Sequence, residues 1–147
     1  MCSIIGYSGN EIAAPIIVKG LKRMEYRGYD SVGVATESEN QIELKKGTGK
    51  VTDVNSKFQL DTLPGRIGIG HTRWATHGKV TDLNAHPHPS NSGKIAIVHN
   101  GIIENFEELK KQLEDDGYSF KSETDSEIIA NLLQKNYEST KNVKDTI

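Results

Sequence analysis

The sequence is short of cysteine, of net charge and of long apolar runs, and each shortage excludes a class of protein. The single cysteine among 147 residues cannot form an internal disulfide, so nothing requires an oxidising compartment. Basic and acidic residues are mixed along the chain and leave a net charge of −2, which argues against a nucleic-acid-binding or membrane-surface protein. No run approaches transmembrane length, and the N-terminal residues lack the pattern of a signal peptide. A cytoplasmic protein is therefore expected.

The length and the hydrophobic pattern predict one domain of sheets and helices. Apolar residues at helical spacing predict helices at about 12–25, 50–60, 103–117 and from 126 onwards. Runs of β-branched residues predict strands at about 3–7, 31–36, 41–44, 66–70 and 94–99. Hairpin order rather than strict βαβ order indicates layered sheets covered by helices, an α+β fold. The last residues, Lys144–Ile147, complete no recognisable element, so a fragment of a longer protein is expected.

Cys2 stands one peptide bond from the start of the chain. If Met1 is removed, Cys2 carries a free α-amino group beside its thiol. A thiol of pKa near 8.5 is a good nucleophile and an α-amine of about 7.7–8.0 is a base at neutral pH, so one residue would supply both. The apolar run Ser3–Tyr7 would hold this terminus as a strand. The alternative is an inert cysteine near a frayed end.

A long polar segment, residues 71–92, has no periodicity and is predicted to be a functional loop. At its start lies Gly70–Gly78, in which Arg73 has a planar guanidinium group that can bind a carboxylate through two parallel hydrogen bonds. Threonine and histidine side chains beside it add further donors. This density of hydrogen-bonding groups favours ligand binding over the alternative, a structural loop anchored by a buried Trp74.

Two further clusters lie at the ends of predicted elements. Asn100-Gly101 follows a predicted strand, and an asparagine amide with a glycine N–H are the two donors that an oxyanion hole needs. A simple Asn-Gly turn explains this pair equally well. In the segment Tyr26–Ser31, Arg27 and Asp30 are close in sequence around a glycine, and a local ion pair is favoured there.

A cluster of histidines raises the question of a metal site. Four of the five histidines fall within 18 residues: His71, His77, His86 and His88. No cysteine or acidic residue lies beside them at the spacing of a metal-ligand set. No metal site is therefore predicted.

Six motifs together closely resemble the glutaminase domain of the glutamine–fructose-6-phosphate aminotransferases, or glucosamine-6-phosphate synthases. They are Met1-Cys2, YRGYDS (26–31), GHTRWATHG (70–78), NAHPH (84–88), VHNGIIEN (98–105) and SETDSE (122–127). The resemblance runs from Cys2 to about Leu133. It implies that residues 1–147 are the N-terminal part of a class II glutamine amidotransferase domain, without the C-terminal sugar isomerase domains. The implied fold is that of an N-terminal nucleophile (Ntn) hydrolase, a four-layer αββα sandwich, incomplete at Ile147.

The resemblance also implies a mechanism. Cys2 would attack the side-chain amide of L-glutamine, release ammonia and leave a γ-glutamyl thioester, with Asn100 and Gly101 forming the oxyanion hole. Arg73 would bind the α-carboxylate of glutamine and Asp125 its α-ammonium. These charges agree with a zwitterionic substrate, which needs a cation at one end of its site and an anion at the other.

Further residues take supporting roles by the same resemblance. Thr76, His77 and His86 would support the glutamine pocket. Trp74 would lie on a mobile loop that faces the synthase domain. Arg27 resembles a family residue near the nucleophile.

For the intact protein, the resemblance implies that the ammonia converts fructose 6-phosphate, bound by the C-terminal domain, into glucosamine 6-phosphate. A homodimer of the full-length protein is expected, and no cofactor, metal, nucleic acid or membrane. The chain departs from the family in one respect, because Ser3 replaces the usual glycine beside the nucleophile. A retained Met1 would tie up the α-amine in a peptide bond. Two alternatives follow: a catalytically silent binding or folding fragment, and the amidotransferase domain of a different class II synthase.

Overall fold

The computed structural model describes residues 2–74 and 79–146, which form two sheets with helices packed on them. The strands are β1 (Ser3–Ser8), β2 (Ser31–Ser38), β3 (Gln41–Thr48), β4 (Ile67–Arg73), β5 (His88–Pro89) and β6 (Ala96–Ile97). The helices are α1 (Ala13–Met24), α2 (Val51–Phe58), α3 (Phe106–Asp115), α4 (Ser126–Thr140) and α5 (Val143–Thr146). The four predicted helices are confirmed, with ends shifted by a few residues. No helix of the described ranges is both long and apolar enough to cross a membrane.

The larger sheet has four antiparallel strands in the order β1-β4-β2-β3. The predicted hairpin is confirmed, and its strands run further than the apolar residues alone indicate. Pairing continues to Ser38 and Gln41, so the turn consists only of Glu39 and Asn40. Both have positive φ, 53° and 62°, as the two central residues of a type I′ hairpin turn require.

Helix α1 lies across one face of this sheet because two glycines of β4 let it approach. The helix buries an apolar stripe at helical spacing that includes Ile17 and Leu21. A Cβ at Gly68 would lie 2.9 Å from Ile17, and one at Gly70 would collide with the same side chain. Since side chains alternate across a strand, the odd-numbered residues of β4 face away from α1. Strand β4 therefore points His71 and Arg73 towards the opposite layer.

That opposite layer is built from the small sheet and the C-terminal helices. Strands β5 and β6 pair antiparallel, α4 packs against both, and α3 packs on α4. Ala96 of β6 and Ile69 of β4 line the same small apolar cavity, so the two sheets face each other. The order of layers is helix, sheet, sheet, helix.

The predicted strand at 94–99 is shorter than its sequence indicates. Only Ala96 and Ile97 pair, with two residues of β5. The apolar residues around them are half-buried and border an open groove of about 670 Å³ that Ile42 and Leu133 also line. A strand extends only where a neighbouring backbone accepts and donates its hydrogen bonds, and the described residues offer β6 one short partner.

Candidate active site

The register of β1 on β4 determines where the cysteine lies. Ser3 pairs with Thr72, and its hydroxyl donates to the Met24 carbonyl at the end of α1 at 3.5 Å. Ser3 is thus accommodated on the α1 side of the sheet. Because side chains alternate along an extended segment, Cys2 faces the other side. Its Sγ accepts a hydrogen bond from the Trp74 N–H at 3.3 Å.

A cleft of about 430 Å³ opens on this side of the sheet and brings together most of the residues that the sequence singled out. The proposed nucleophile and oxyanion donors line it: Cys2, Asn100 and Gly101. So do Arg73, His86 and Asp125, and also Trp74 and Arg27. Thr76 and His77 lie outside the described residues.

Asn100 lies at the wall of the cleft, and its side-chain oxygen is held from behind. His71 Nε2 lies 2.7 Å from Asn100 Oδ1. With its oxygen engaged, the amide presents its NH₂ group on the other side. Next to it, a Cβ at Gly101 would lie 2.6 Å from the His99 ring. Asn100 and Gly101 both line the cleft that contains Cys2, and the pair has the composition of an oxyanion hole.

Arg73 is buried at the end of β4, with 5% of its surface exposed. Its Nη1 donates to the Lys79 carbonyl at 3.2 Å. Burial lowers the pKa of Arg73, and the nearby Cys2, Asp30 and Asp125 oppose that shift. An arginine nevertheless keeps its proton in a protein. The cleft thus contains a partly desolvated cation, which strengthens its attraction for an anion.

Asp125 supplies the opposite charge at the N-terminus of α4. Its Oδ2 accepts a hydrogen bond from the Ile103 N–H at 2.8 Å, and its Oδ1 from the Ser126 hydroxyl at 3.3 Å. These bonds connect the segment after Asn100 with the start of α4. The carboxylate is held in position, and it lines the same cleft as Arg73. A cation and an anion in one cleft suit a zwitterionic amino acid.

The segment that carries His86 is held against the large sheet by one lysine. Lys46 Nζ donates to the carbonyls of Leu83, Ala85 and Pro87 at 3.1, 2.5 and 3.1 Å. Burial lowers the pKa of Lys46 to about 8, although the negative charges of Glu127 and Asp82 act to raise it. Three backbone acceptors on one ammonium group fix the path of this segment.

Three histidine rings form a buried column beside the cleft. His71 stacks on His86 with ring centroids 4.3 Å apart, and His86 contacts His88 edge-to-face at 4.5 Å. His88 Nε2 lies 3.0 Å from the Thr124 hydroxyl. Burial lowers the pKa of His71 to about 4 and of His88 to about 3, and it lowers that of His86 as well. The three rings are therefore neutral at pH 7.

Sequence reasoning treated His71 as one of the donors near Arg73 and both His71 and His88 as possible metal ligands, but it missed the buried column that they form with His86. Among the described residues, no group of three or more histidine, cysteine or acidic side chains has a metal-binding arrangement. The predicted loop at 71–92 is wrong for its first residues, because β4 continues to Arg73; on a strand, His71 and Arg73 are two residues apart and so share a face. Thr124, Ser126 and His99 also line the site.

Two alternatives from the sequence are settled by exposure and contact. Trp74 is 43% exposed and makes an edge-to-face contact with Tyr29 at 5.5 Å. A loop anchored by a buried Trp74 is therefore wrong. Cys2 lies at the wall of the cleft, directly before the paired strand β1, and accepts a hydrogen bond from the Trp74 N–H, so the alternative of a frayed end is wrong as well.

The buried histidines predict that the protein loses stability in acid. An unfolded histidine has a pKa near 6.5, whereas burial holds His71 and His88 at pKa values of about 4 and about 3. Between these values the unfolded state binds protons that the folded state does not. The free energy of unfolding should then fall as the pH falls, by about 1.4 kcal/mol per pH unit for each such histidine. Urea unfolding at pH 7 and pH 5 measures this loss.

A matched variant separates the histidines from the carboxylates that also titrate in acid. His88→Gln keeps a hydrogen-bonding group beside Thr124 but removes one titrating ring. Its loss of stability between pH 7 and pH 5 should be smaller than that of the wild type by about 2 kcal/mol. Equal losses in the two proteins would show that His88 does not contribute.

Comparison with known proteins agrees with this geometry. The sequence pattern of the glutamine amidotransferase domain matches residues 56–143. The glutamine–fructose-6-phosphate aminotransferase (isomerizing) of Pyrococcus horikoshii is 57% identical over 145 residues, which are 99% of this chain and 24% of that protein. The enzyme of the same name from Methanococcus maripaludis is 55% identical over 143 residues, 97% of this chain and 24% of that protein. The chain spans about a quarter of the length of these relatives.

Two solved structures share the fold over the whole chain. A glutamine phosphoribosylpyrophosphate amidotransferase from B. subtilis, in complex with ADP and GMP, has a TM-score of 0.82 at 31% identity and covers 100% of this chain and 31% of its own. A structure described as the allosteric regulatory enzyme of purine biosynthesis has a TM-score of 0.84 at 31% identity, over 100% of this chain and 32% of its own. The α+β Ntn-type fold expected from the resemblance is confirmed by this agreement.

Proposed function

Because the chain belongs to the family of glutamine amidotransferase domains, we propose that it hydrolyses the side-chain amide of glutamine with Cys2 as the nucleophile. One observation carries this proposal: Cys2, the Asn100-Gly101 pair and the opposite charges of Arg73 and Asp125 line a single cleft. A nucleophile, an oxyanion hole and a two-ended amino-acid site are the parts that amide hydrolysis requires.

The proposed reaction begins with removal of Met1. The free α-amine of Cys2 takes the thiol proton, and the thiolate attacks the amide carbon of the glutamine side chain. The carbonyl oxygen becomes an oxyanion that accepts hydrogen bonds from the Asn100 side-chain NH₂ and the Gly101 N–H. The α-ammonium then protonates the leaving nitrogen, ammonia departs, and a γ-glutamyl thioester remains. Water, deprotonated by the same amine, hydrolyses the thioester to glutamate and restores the thiol.

The substrate is held by its α-substituents. Arg73 binds the α-carboxylate and Asp125 the α-ammonium. His86, fixed by its segment, supports the pocket together with Thr76 and His77. Trp74, half-exposed beside the cysteine, faces the synthase domain of the longer protein, and Arg27 completes the wall near the nucleophile.

The names of the relatives indicate which reaction consumes the ammonia. Proteins that are 57% and 55% identical to this chain are named as glutamine–fructose-6-phosphate aminotransferases, whereas the purine enzymes are 31% identical. The chain, residues 1–147, then acts as the glutaminase part of a longer cytoplasmic and homodimeric protein. A further sugar isomerase domain would bind fructose 6-phosphate, which the ammonia converts to glucosamine 6-phosphate. The alternative of a silent binding unit is not favoured, because a complete set of reacting groups lines the cleft.

The proposed contacts of Arg73 with the α-carboxylate and of Asp125 with the α-ammonium predict changes in the affinity for glutamine. Arg73→Lys keeps the charge but loses the planar two-point contact, and Asp125→Asn removes the charge that faces the ammonium. Loss of a charge-assisted contact is expected to raise the KM for glutamine about 10- to 100-fold, with a smaller fall in kcat. Initial rates of glutamate release over a range of glutamine concentrations measure both constants.

Lys79→Ala is the matched control, because it removes an exposed cation near Arg73 but keeps the backbone carbonyl of residue 79 that accepts a hydrogen bond from the guanidinium. Its KM should stay close to that of the wild type. Normal glutamine binding by both Arg73→Lys and Asp125→Asn in calorimetry would refute the assignment of the two ends of the pocket.

A further inference from the structure

We infer that His71 is a positioning residue that orients the oxyanion donor of the active site, by donating its Nε2–H to the side-chain oxygen of Asn100. The inference rests on the proposed function, since it concerns the same oxyanion hole. It adds a residue that touches neither the substrate nor the cysteine. Three properties of His71 carry it: the contact with Asn100, its fixed ring and the position of its proton.

The contact is short and specific. His71 Nε2 lies 2.7 Å from Asn100 Oδ1. An asparagine amide has an oxygen and an NH₂ group of nearly the same shape, and only its hydrogen bonds decide which one points where. If the amide rotated by half a turn, its oxygen would face the developing oxyanion and repel it. The bond from His71 makes this rotation unfavourable, because its N–H would then face the NH₂ group.

The His71 ring is held rigidly. The side chain is 1% exposed, lies on the face of β4 opposite α1, and is stacked on His86 with an angle of 21° between the ring planes. The backbone of β4 is paired on both sides, with β1 and β2. A rigidly held donor that fixes the rotation of an amide group is the arrangement that preorganises an oxyanion hole.

The position of the proton follows from the surroundings of the two ring nitrogens. Burial lowers the pKa of His71 to about 4, so the ring carries one proton at neutral pH. Nδ1 is buried and forms no hydrogen bond of regular geometry with any described residue, whereas Nε2 lies 2.7 Å from an amide oxygen; the backbone of His99 also interacts with the ring and opposes the lowering of its pKa. A buried N–H without an acceptor is costlier than a nitrogen lone pair without a donor. The proton therefore lies on Nε2, where it can be donated to Asn100.

A pair of substitutions tests this inference. The amide nitrogen of glutamine can take the place of Nε2, whereas the shorter asparagine side chain reaches only as far as Nδ1. Removing one oxyanion donor costs about 10²–10³ in kcat, so His71→Asn should lower the kcat of glutamine hydrolysis about 100-fold with little change in KM. His71→Gln should restore most of this loss, to within about tenfold of the wild type.

A double-mutant cycle shows whether His71 acts through Asn100. In an Asn100→Ala background there is no amide to orient, so His71→Asn should lower kcat by less than about threefold. An equal loss in both backgrounds would overturn the inference. If Asn100→Ala itself leaves kcat unchanged, the oxyanion assignment in the proposed function is wrong. If Asn100→Ala is slow but His71→Asn is as fast as the wild type, only the inference is wrong.

A measurement on the unmodified protein avoids the risk that a buried substitution prevents folding. The ¹⁵N chemical shifts of histidine ring nitrogens distinguish the two neutral tautomers. At pH 7 the His71 ring should be protonated on Nε2. Protonation on Nδ1 would overturn the inference, because Nε2 would then be an acceptor facing an acceptor.

Discussion

Cys2→Ala is expected to reduce glutamine hydrolysis to the background level, a loss on the order of 10⁵–10⁶ in kcat. The physical reason is that the thiolate forms the covalent bond to the substrate, and the chain has no second cysteine; the Thr124 and Ser126 hydroxyls that also line the cleft are much weaker nucleophiles at neutral pH. The oxyanion hole and the charged pair remain in the variant, so it should still bind glutamine. Release of glutamate and ammonia measures the loss, and calorimetry measures the binding.

A second reaction provides the control in the longer protein. Synthesis of glucosamine 6-phosphate from added ammonia does not need the glutaminase site, so Cys2→Ala should leave that rate unchanged. Cys2→Ser serves as a second variant, because its hydroxyl is close in size to the thiol but a much weaker nucleophile at neutral pH. Glutaminase activity of Cys2→Ala close to that of the wild type would exclude Cys2 from the mechanism.

A protein that retains Met1 is expected to be nearly inactive, although every side chain of the site is present. Met1 converts the α-amine of Cys2 into an amide, and an amide nitrogen cannot accept the thiol proton at neutral pH. Only a few per cent of a thiol with a pKa of about 8.5 is ionised at pH 7. Without the amine, the leaving ammonia also lacks its proton donor. The expected loss in kcat is about 10²–10⁴, the contribution of a general acid–base group.

Intact-mass spectrometry separates the two forms, and a covalent probe compares them. A glutamine-like diazo-ketone amino acid should label Cys2 rapidly and saturably in the processed form, and glutamine should block this labelling. The form with Met1 should be labelled slowly and without saturation. Equal labelling rates would exclude the α-amine as the base. His77 and His86 would then be the first candidates for that role, although burial lowers the pKa of His86 and makes it a weak base.

Local pattern was sufficient to predict most of the elements. The apolar stripe of α1 and the alternating hairpin residues depend on neighbours a few positions away. Helix α1 lies close to its predicted bounds, whereas the second hairpin strand continues to Thr48 instead of ending near Leu44. The predicted strand at 94–99 was too long, because its length depends on a partner strand far away in the sequence. Apolar residues indicate that a segment prefers burial, but they do not state what covers it.

The candidate site shows even more clearly the difference between what local sequence and what tertiary packing determine. The sequence by itself determined which residue types are available, namely a cysteine directly after Met1, the guanidinium of Arg73 and an Asn-Gly pair. Only the tertiary structure decided that they meet in one cleft, because the register of Ser3 on Thr72 turns Cys2 towards Arg73. It also decided the contact of His71 with Asn100, which is 29 residues away. Hydrogen bonds between distant segments depend on how two layers pack, and no local periodicity carries that information.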